Sequence, residues 1–170
     1  VADDDRFVAI NVRTSQVVDN IWATGRVFAL ALNFLAGGLE GKRVLLLGCG
    51  PVGRAAAWTL APLKAKLILY DIIPEQAEKL AASLMGQEYS TETAVSLEAA
   101  LAEGPFILDA TPAADIISEH HLTAGTLVAA PGVPLGLTPA AARALGPRLI
   151  HDPLQLGVAA MASTAARTNK

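Results

Sequence analysis

The chain has 170 residues, 52% of them apolar, and a formal charge of -3 carried by scattered Lys, Arg, Asp and Glu. This predicts one α/β domain with a sizeable core, and without charge blocks neither nucleic acid nor a membrane surface is an expected partner. No apolar run reaches the roughly 18 residues that span a bilayer, the single Cys49 cannot close an internal disulfide, and no basic-then-apolar leader follows Val1, so a reducing cytoplasm is expected.

In chain order, Phe7 to Asn11 reads as a short strand, and Asp19-Asn20 stands where a helix cap belongs, ahead of the long apolar-rich run Ile21 to Ala36. Gly37-Gly38 stops that helix, and Leu39 to Lys42 turns into Val44-Leu45-Leu46-Leu47, an aliphatic run typical of a strand covered on both faces. Strands and helices then alternate: helix Val52 to Leu63, strand Leu67 to Asp71, helix Pro74 to Met85, a short helix Leu97 to Ala102 and strand Phe106 to Asp109. Strand Thr126 to Ala130, a Thr138-Pro139 cap with a helix to Leu145, strand Arg148 to His151 and helix Leu156 to Thr168 complete the pattern. The expected fold is a Rossmann-like doubly wound parallel sheet with helices on both faces, preceded by a short strand and a long helix. Residues 1-38 are read as a remnant of a truncated N-terminal domain, and residues 39-170 as the Rossmann domain.

In such a sheet, ligands bind beyond the carboxyl ends of the strands. Gly48-Cys49-Gly50-Pro51-Val52-Gly53 follows a buried-type strand and opens a helix, the context in which a GxGxxG pattern signifies a dinucleotide pyrophosphate site. Gly48 allows the tight turn, Gly50 the approach of the phosphates, and Gly53 close packing of helix on strand. Asp71 ends the next strand, where a carboxylate accepts both hydroxyls of an adenosine ribose and repels a 2'-phosphate; Ile72-Ile73-Pro74 offers no Arg in compensation, so NAD is expected over NADP. A plain helix-capping role for Asp71 is the alternative. Ala110-Thr111-Pro112 and Pro131-Gly132-Val133-Pro134 follow later strands and are expected to wall the cleft, the second at its nicotinamide end, unless they are only proline-stiffened turns.

Hydride transfer asks little of the protein beyond orientation, so few catalytic residues are required. A carboxylate among Asp3, Asp4 and Asp5 would suit a cationic amine, or would be a solvated acidic turn. No metal site is expected: the adjacent His120 and His121 are taken to point apart, with no Cys or carboxylate cluster at ligand spacing. His151 at a strand end is read as a structural histidine facing the cleft, and Cys49 as a filler of the phosphate loop rather than a nucleophile.

The ordered set Ala2-Asp3-Asp4, Asn11, Asn20 with Ala23-Thr24-Gly25, the glycine loop, Asp71, Ala110-Thr111-Pro112, Pro131-Gly132-Val133-Pro134 and Pro153-Leu154-Gln155-Leu156-Gly157 resembles the pyrrolysine-forming dehydrogenases over nearly the whole chain. The resemblance implies that NAD oxidises the terminal amine carbon of 3-methylornithyl-lysine, whose product then cyclises to pyrrolysine. It implies further that Asp3 anchors the substrate and that Asn20 and Thr24 line the cleft near the nicotinamide. Proteins of that family carry a further N-terminal part of roughly a hundred residues, the size of a small domain, that supplies much of the substrate pocket. The chain is therefore expected to bind NAD without necessarily turning over. A different NAD-dependent amino-acid or methylene-pterin type dehydrogenase is one alternative; a shikimate-type enzyme is disfavoured because Lys42, Lys64, Lys66 and Lys79 fall at helix ends or surface turns, leaving no catalytic Lys and Asp pair. The other alternative is a non-catalytic NAD-binding module, or a homodimer joined through the Ile21 to Ala36 helix.

Overall fold

The computed structural model describes residues 8-11 and 15-166. Two short strands, β1 (Val8–Asn11) and β2 (Gln16–Asp19), pair antiparallel and lead into α1 (Asn20–Leu35). Asp19 caps α1 by accepting hydrogen bonds from the Ile21 and Trp22 amides at 2.7 and 3.3 Å. Gly37 and Gly38 end it in left-handed conformation, their amides returning to Phe34 and Asn33 carbonyls.

The sheet that follows comprises β3 (Arg43–Leu47), β4 (Lys66–Tyr70), β5 (Thr91–Thr93), β6 (Phe106–Asp109), β7 (Leu127–Ala129) and β8 (Leu149–Ile150). Its spatial order is β5-β4-β3-β6-β7-β8 and every pairing is parallel. Counted from β3, that is the doubly wound order in which the chain reverses direction between the first and fourth strands, opening a crevice at their carboxyl ends. Helices α2 (Pro51–Leu60), α3 (Pro74–Met85), α4 (Leu97–Leu101), α5 (Pro139–Leu145) and α6 (Pro153–Ala166) connect or flank the strands.

Alternation along β3 divides the core. Val44 and Leu46 face a layer containing Phe28, Leu32, Leu60, Leu80 and Leu84, while Leu45 and Leu47 face one containing Ile107, Val128, Leu137 and Leu145. Because β3 is buried on both faces it reads as a continuous aliphatic run. Small residues let α1 lie close against α2: a Cβ at Gly25 would come within 2.4 Å of the Val52 carbonyl oxygen.

The structure departs from the sequence expectation at a few elements. β2 and β5 were not foreseen; β5 is a polar Thr-Glu-Thr edge strand without an apolar signal. α6 begins at Pro153 rather than Leu156, since Asp152 Oδ1 accepts the Gln155 amide at 3.1 Å and caps it, with proline in the first turn. Among the described residues, no helix is long and apolar enough to cross a membrane.

Candidate functional site

The carboxyl ends of β3, β4, β6 and β7 surround a cleft of about 540 Å³. Its lining contains Gly48, Gly50, Pro51, Val52, Asp71, Ala110, Thr111, Pro112, Pro131, Gly132 and Val133, together with Ile72, Ile73 and Gln76. Residues far apart in the chain meet here because each follows a strand that points into the same crevice.

The loop after β3 has the geometry a pyrophosphate requires. Gly48 sits at φ +82°, and a Cβ there would be 2.9 Å from the Ala110 carbonyl oxygen. Gly53 does not line the cleft but lies beneath it, where a Cβ would come 1.8 Å from the Gly48 carbonyl oxygen. At Gly50, by contrast, a Cβ would meet nothing within 4 Å, so the loop's outer side is open. Gly50 is also the cap of α2 and supplies no side-chain hydrogen bond, and Pro51 follows. The first amides of α2 therefore have no side-chain acceptor and face the open side with the helix's positive end, which fits an anionic phosphate group.

Asp71 immediately follows β4. Its Oδ2 accepts the Cys49 amide at 2.7 Å and its Oδ1 the Ile73 amide at 2.9 Å. These two bonds tie the carboxylate to the glycine loop and to Ile73, the cap position of α3, which has no side-chain cap of its own; Asp71 does not fill the capping role. Each carboxylate oxygen retains acceptor capacity for a sugar hydroxyl. Beside it Ile72 is 86% exposed, an apolar surface on the lip of the cleft suited to a flat heterocycle. In the sequence Ile72 and Ile73 stand out as residues that are not Arg; an apolar pair directly after a strand-end carboxylate is the signal for this surface. Gln76 carried no such signal.

On the other side, Asp109 ends β6 and is fully buried. Its Oδ1 accepts the Thr111 amide and hydroxyl at 3.1 and 2.7 Å, which fixes the Ala110-Thr111-Pro112 wall. Its Oδ2 has no hydrogen-bond partner among the described residues, and a Cβ at Gly136 would lie 2.0 Å from it. Burial raises the Asp109 carboxyl above its ordinary value; the Thr111 hydrogen bonds, the nearby His151 and the Gly136 amide pull partly in the opposite direction. A Cβ at Gly132 would come 2.0 Å from the Thr111 carbonyl oxygen, so the two wall loops touch. Val133 and Pro134 are joined by a cis peptide. His151 is exposed and donates from Nδ1 to the Ala130 carbonyl at 2.7 Å, bracing the loop that begins at Pro131.

Several expected site residues lie elsewhere. Thr24 donates to Asn20 Oδ1 at 3.2 Å, and a Cβ at Gly157 of α6 would come 3.0 Å from Thr24 Oγ1 and 3.1 Å from Asn20 Oδ1. Neither lines the cleft described above; four-residue spacing puts both side chains on one face of α1, where they meet α6. Asp3, Asp4 and Asp5 lie outside the described residues. Cys49 is buried; desolvation, reinforced by Asp71, pushes its thiol up to about 12, far from a reactive thiolate. The expectation that His120 and His121 diverge does not hold: their ring centroids are 3.9 Å apart, and Glu98 joins them. Both side chains are drawn to the same residue, Ser118.

The family model described as D-isomer specific 2-hydroxyacid dehydrogenase, NAD binding domain, matches residues 10–127. Among curated proteins, the chain is similar to pyrrolysine synthase of Methanosarcina acetivorans, 27% identical over 162 residues, which cover 95% of this chain and 59% of the relative. It is similar also to pyrrolysine synthase of Methanosarcina barkeri, 26% identical over 162 residues, with 95% and 58% covered. The chain thus spans about three fifths of the length of these relatives. Among solved structures, quinate dehydrogenase from Corynebacterium glutamicum in complex with NAD superposes with TM-score 0.65 at 23% identity, covering 93% of this chain and 59% of that one. Shikimate dehydrogenase from Aquifex aeolicus gives 0.65 at 22% identity, covering 90% and 58%. At these identities the likeness shows the fold.

Proposed function

The chain belongs to the NAD-binding-domain family of the D-isomer specific 2-hydroxyacid dehydrogenases, with NAD as its cofactor, and from that premise we propose that it serves the NAD-dependent formation of pyrrolysine from 3-methylornithyl-lysine. The observation that carries this reading is the meeting, in one cleft, of the uncapped start of α2, the Asp71 carboxylate and two strand-end wall loops. Similarity to pyrrolysine synthases along 95% of the chain supports the choice of substrate.

The protein's part is binding and orientation. The Val52 amide at the start of α2 would hold the pyrophosphate, Asp71 the adenosine ribose, and Ile72 would cover the adenine. Thr111 and Gly132, whose backbones meet, wall the far end. When bound, NAD supplies a hydride acceptor for the terminal amine carbon of the substrate. Asp3 is assigned the substrate's cationic group. Residues 1-38 are assigned as an N-terminal strand and connecting helix, and residues 39-170 as the NAD-binding Rossmann domain.

The test is to express the complete reading frame that contains this chain, add NAD and 3-methylornithyl-lysine, and follow NADH and the pyrroline product by mass spectrometry. NADH formed together with pyrrolysine is the expected outcome. Turnover of an ordinary amino acid, with none of 3-methylornithyl-lysine, would overturn the substrate assignment.

A further inference from the structure

A second cluster of chemically capable side chains lies on a separate cleft that shares no lining residue with the cofactor site. Glu98 stands in the first turn of α4, and His120 and His121 occupy a short 3-10 turn, 119-121, between β6 and β7. One ligand atom from each of the three lies within 4.8 Å of the other two. His121 Nε2 and Glu98 Oε2 are 3.3 Å apart. That spacing is about the edge of a tetrahedron with arms of roughly 2.0–2.1 Å, the bond lengths of zinc to imidazole nitrogen and carboxylate oxygen.

The surroundings favour ligation. Ser118 Oγ is 2.9 Å from His120 Nδ1 and 3.3 Å from His121 Nδ1. A hydroxyl oxygen has two acceptor lone pairs, so one serine can take the Nδ1 protons of both rings and turn both Nε2 atoms to a metal. This is the outer partnership that ligating histidines commonly have. His121 also accepts the Ser118 amide at Nδ1, 3.1 Å away, an arrangement that places its proton on Nε2 against Glu98. Loading a cation moves that proton from Nε2 to Nδ1, where the Ser118 hydroxyl accepts it in place of the amide contact, and frees Nε2 for the metal with no net proton released. His121 is held in place, its side chain only 9% exposed, whereas Glu98 at 76% is free to swing onto an ion.

We propose that Glu98, His120 and His121 form a binding site for a divalent transition cation of the zinc type, clipping the α4 turn to the β6–β7 connection. Two imidazole nitrogens and one carboxylate oxygen suit zinc, with an open fourth position for water. Magnesium and calcium prefer shells built from oxygen and are excluded by this donor set.

Calorimetric titration of zinc chloride into the untagged whole chain tests the assignment. One saturable site per chain is expected. His120→Ala, which alters an exposed side chain, and Glu98→Gln should each weaken it at least tenfold, and His151→Ala should leave it unchanged. Zinc should raise the Tm of the parent but not of His120→Ala, and a magnesium titration should give no saturable heat. No saturable zinc uptake, or uptake that survives both His120→Ala and Glu98→Gln, would overturn the proposal.

Discussion

Among the described residues, Asp109 carries the buried side-chain oxygen that lacks a hydrogen-bond partner. One carboxylate oxygen is satisfied by Thr111 and the other is buried without a partner, so desolvation holds its folded pKa above the ordinary value of 3.8. Because the native state keeps this proton to higher pH than the unfolded chain does, stability falls as pH rises from about 3.8 to the folded value, and the whole penalty is present above it. Asp109→Asn retains an acceptor for Thr111 and removes the ionisation. Thermal denaturation should show a flatter acid-range profile, because the variant has no carboxyl to titrate at this position. A pH profile that superimposes on the parent's would show that Asp109 does not titrate in this window. Little of this was legible in the sequence, where Asp109 is only the last residue of a strand. Its burial is decided by Gly136, far along the chain, closing over it.

At the level of elements, the sequence was most informative where local pattern and tertiary demand coincide. Asp19, Thr138 and the diglycine at 37-38 mark helix ends with their own side-chain or backbone chemistry, and β3 declares itself by burial on both faces. β5 and β2 were illegible because pairing with a neighbouring strand, rather than any apolar alternation, makes them strands. Cleft loops could be placed because a strand end is a topological address, whereas the direction of Asn20 and Thr24 depends on where α6 crosses α1. Gly25 belongs to the same class of tertiary choice. An alanine there gains helix propensity yet places its Cβ 2.4 Å from the Val52 carbonyl oxygen and 2.7 Å from Ala55 Cβ. Gly25→Ala should therefore lower stability in chemical denaturation by about 1–3 kcal/mol. A neutral or stabilising result would mean that α1 and α2 are not in close contact.

For the whole molecule, the doubly wound sheet brings together groups that have no local reason to meet. Strand order puts β4 beside β3, so Asp71 reaches the amide of Cys49 across 22 residues of chain; β6 lies on the other side, so the Thr111 wall faces the same opening. The central claim is that this opening is a selective NAD site, and isothermal titration of NAD and NADP into the parent and Asp71→Ala addresses it directly. The parent should bind NAD and discriminate against NADP. Loss of hydrogen bonds to a charged acceptor, about 1.5–3 kcal/mol, should weaken NAD roughly ten- to a hundredfold in the variant and erase most of that discrimination. Equal affinity of the parent for the two dinucleotides, or NAD binding untouched by Asp71→Ala, would contradict the account.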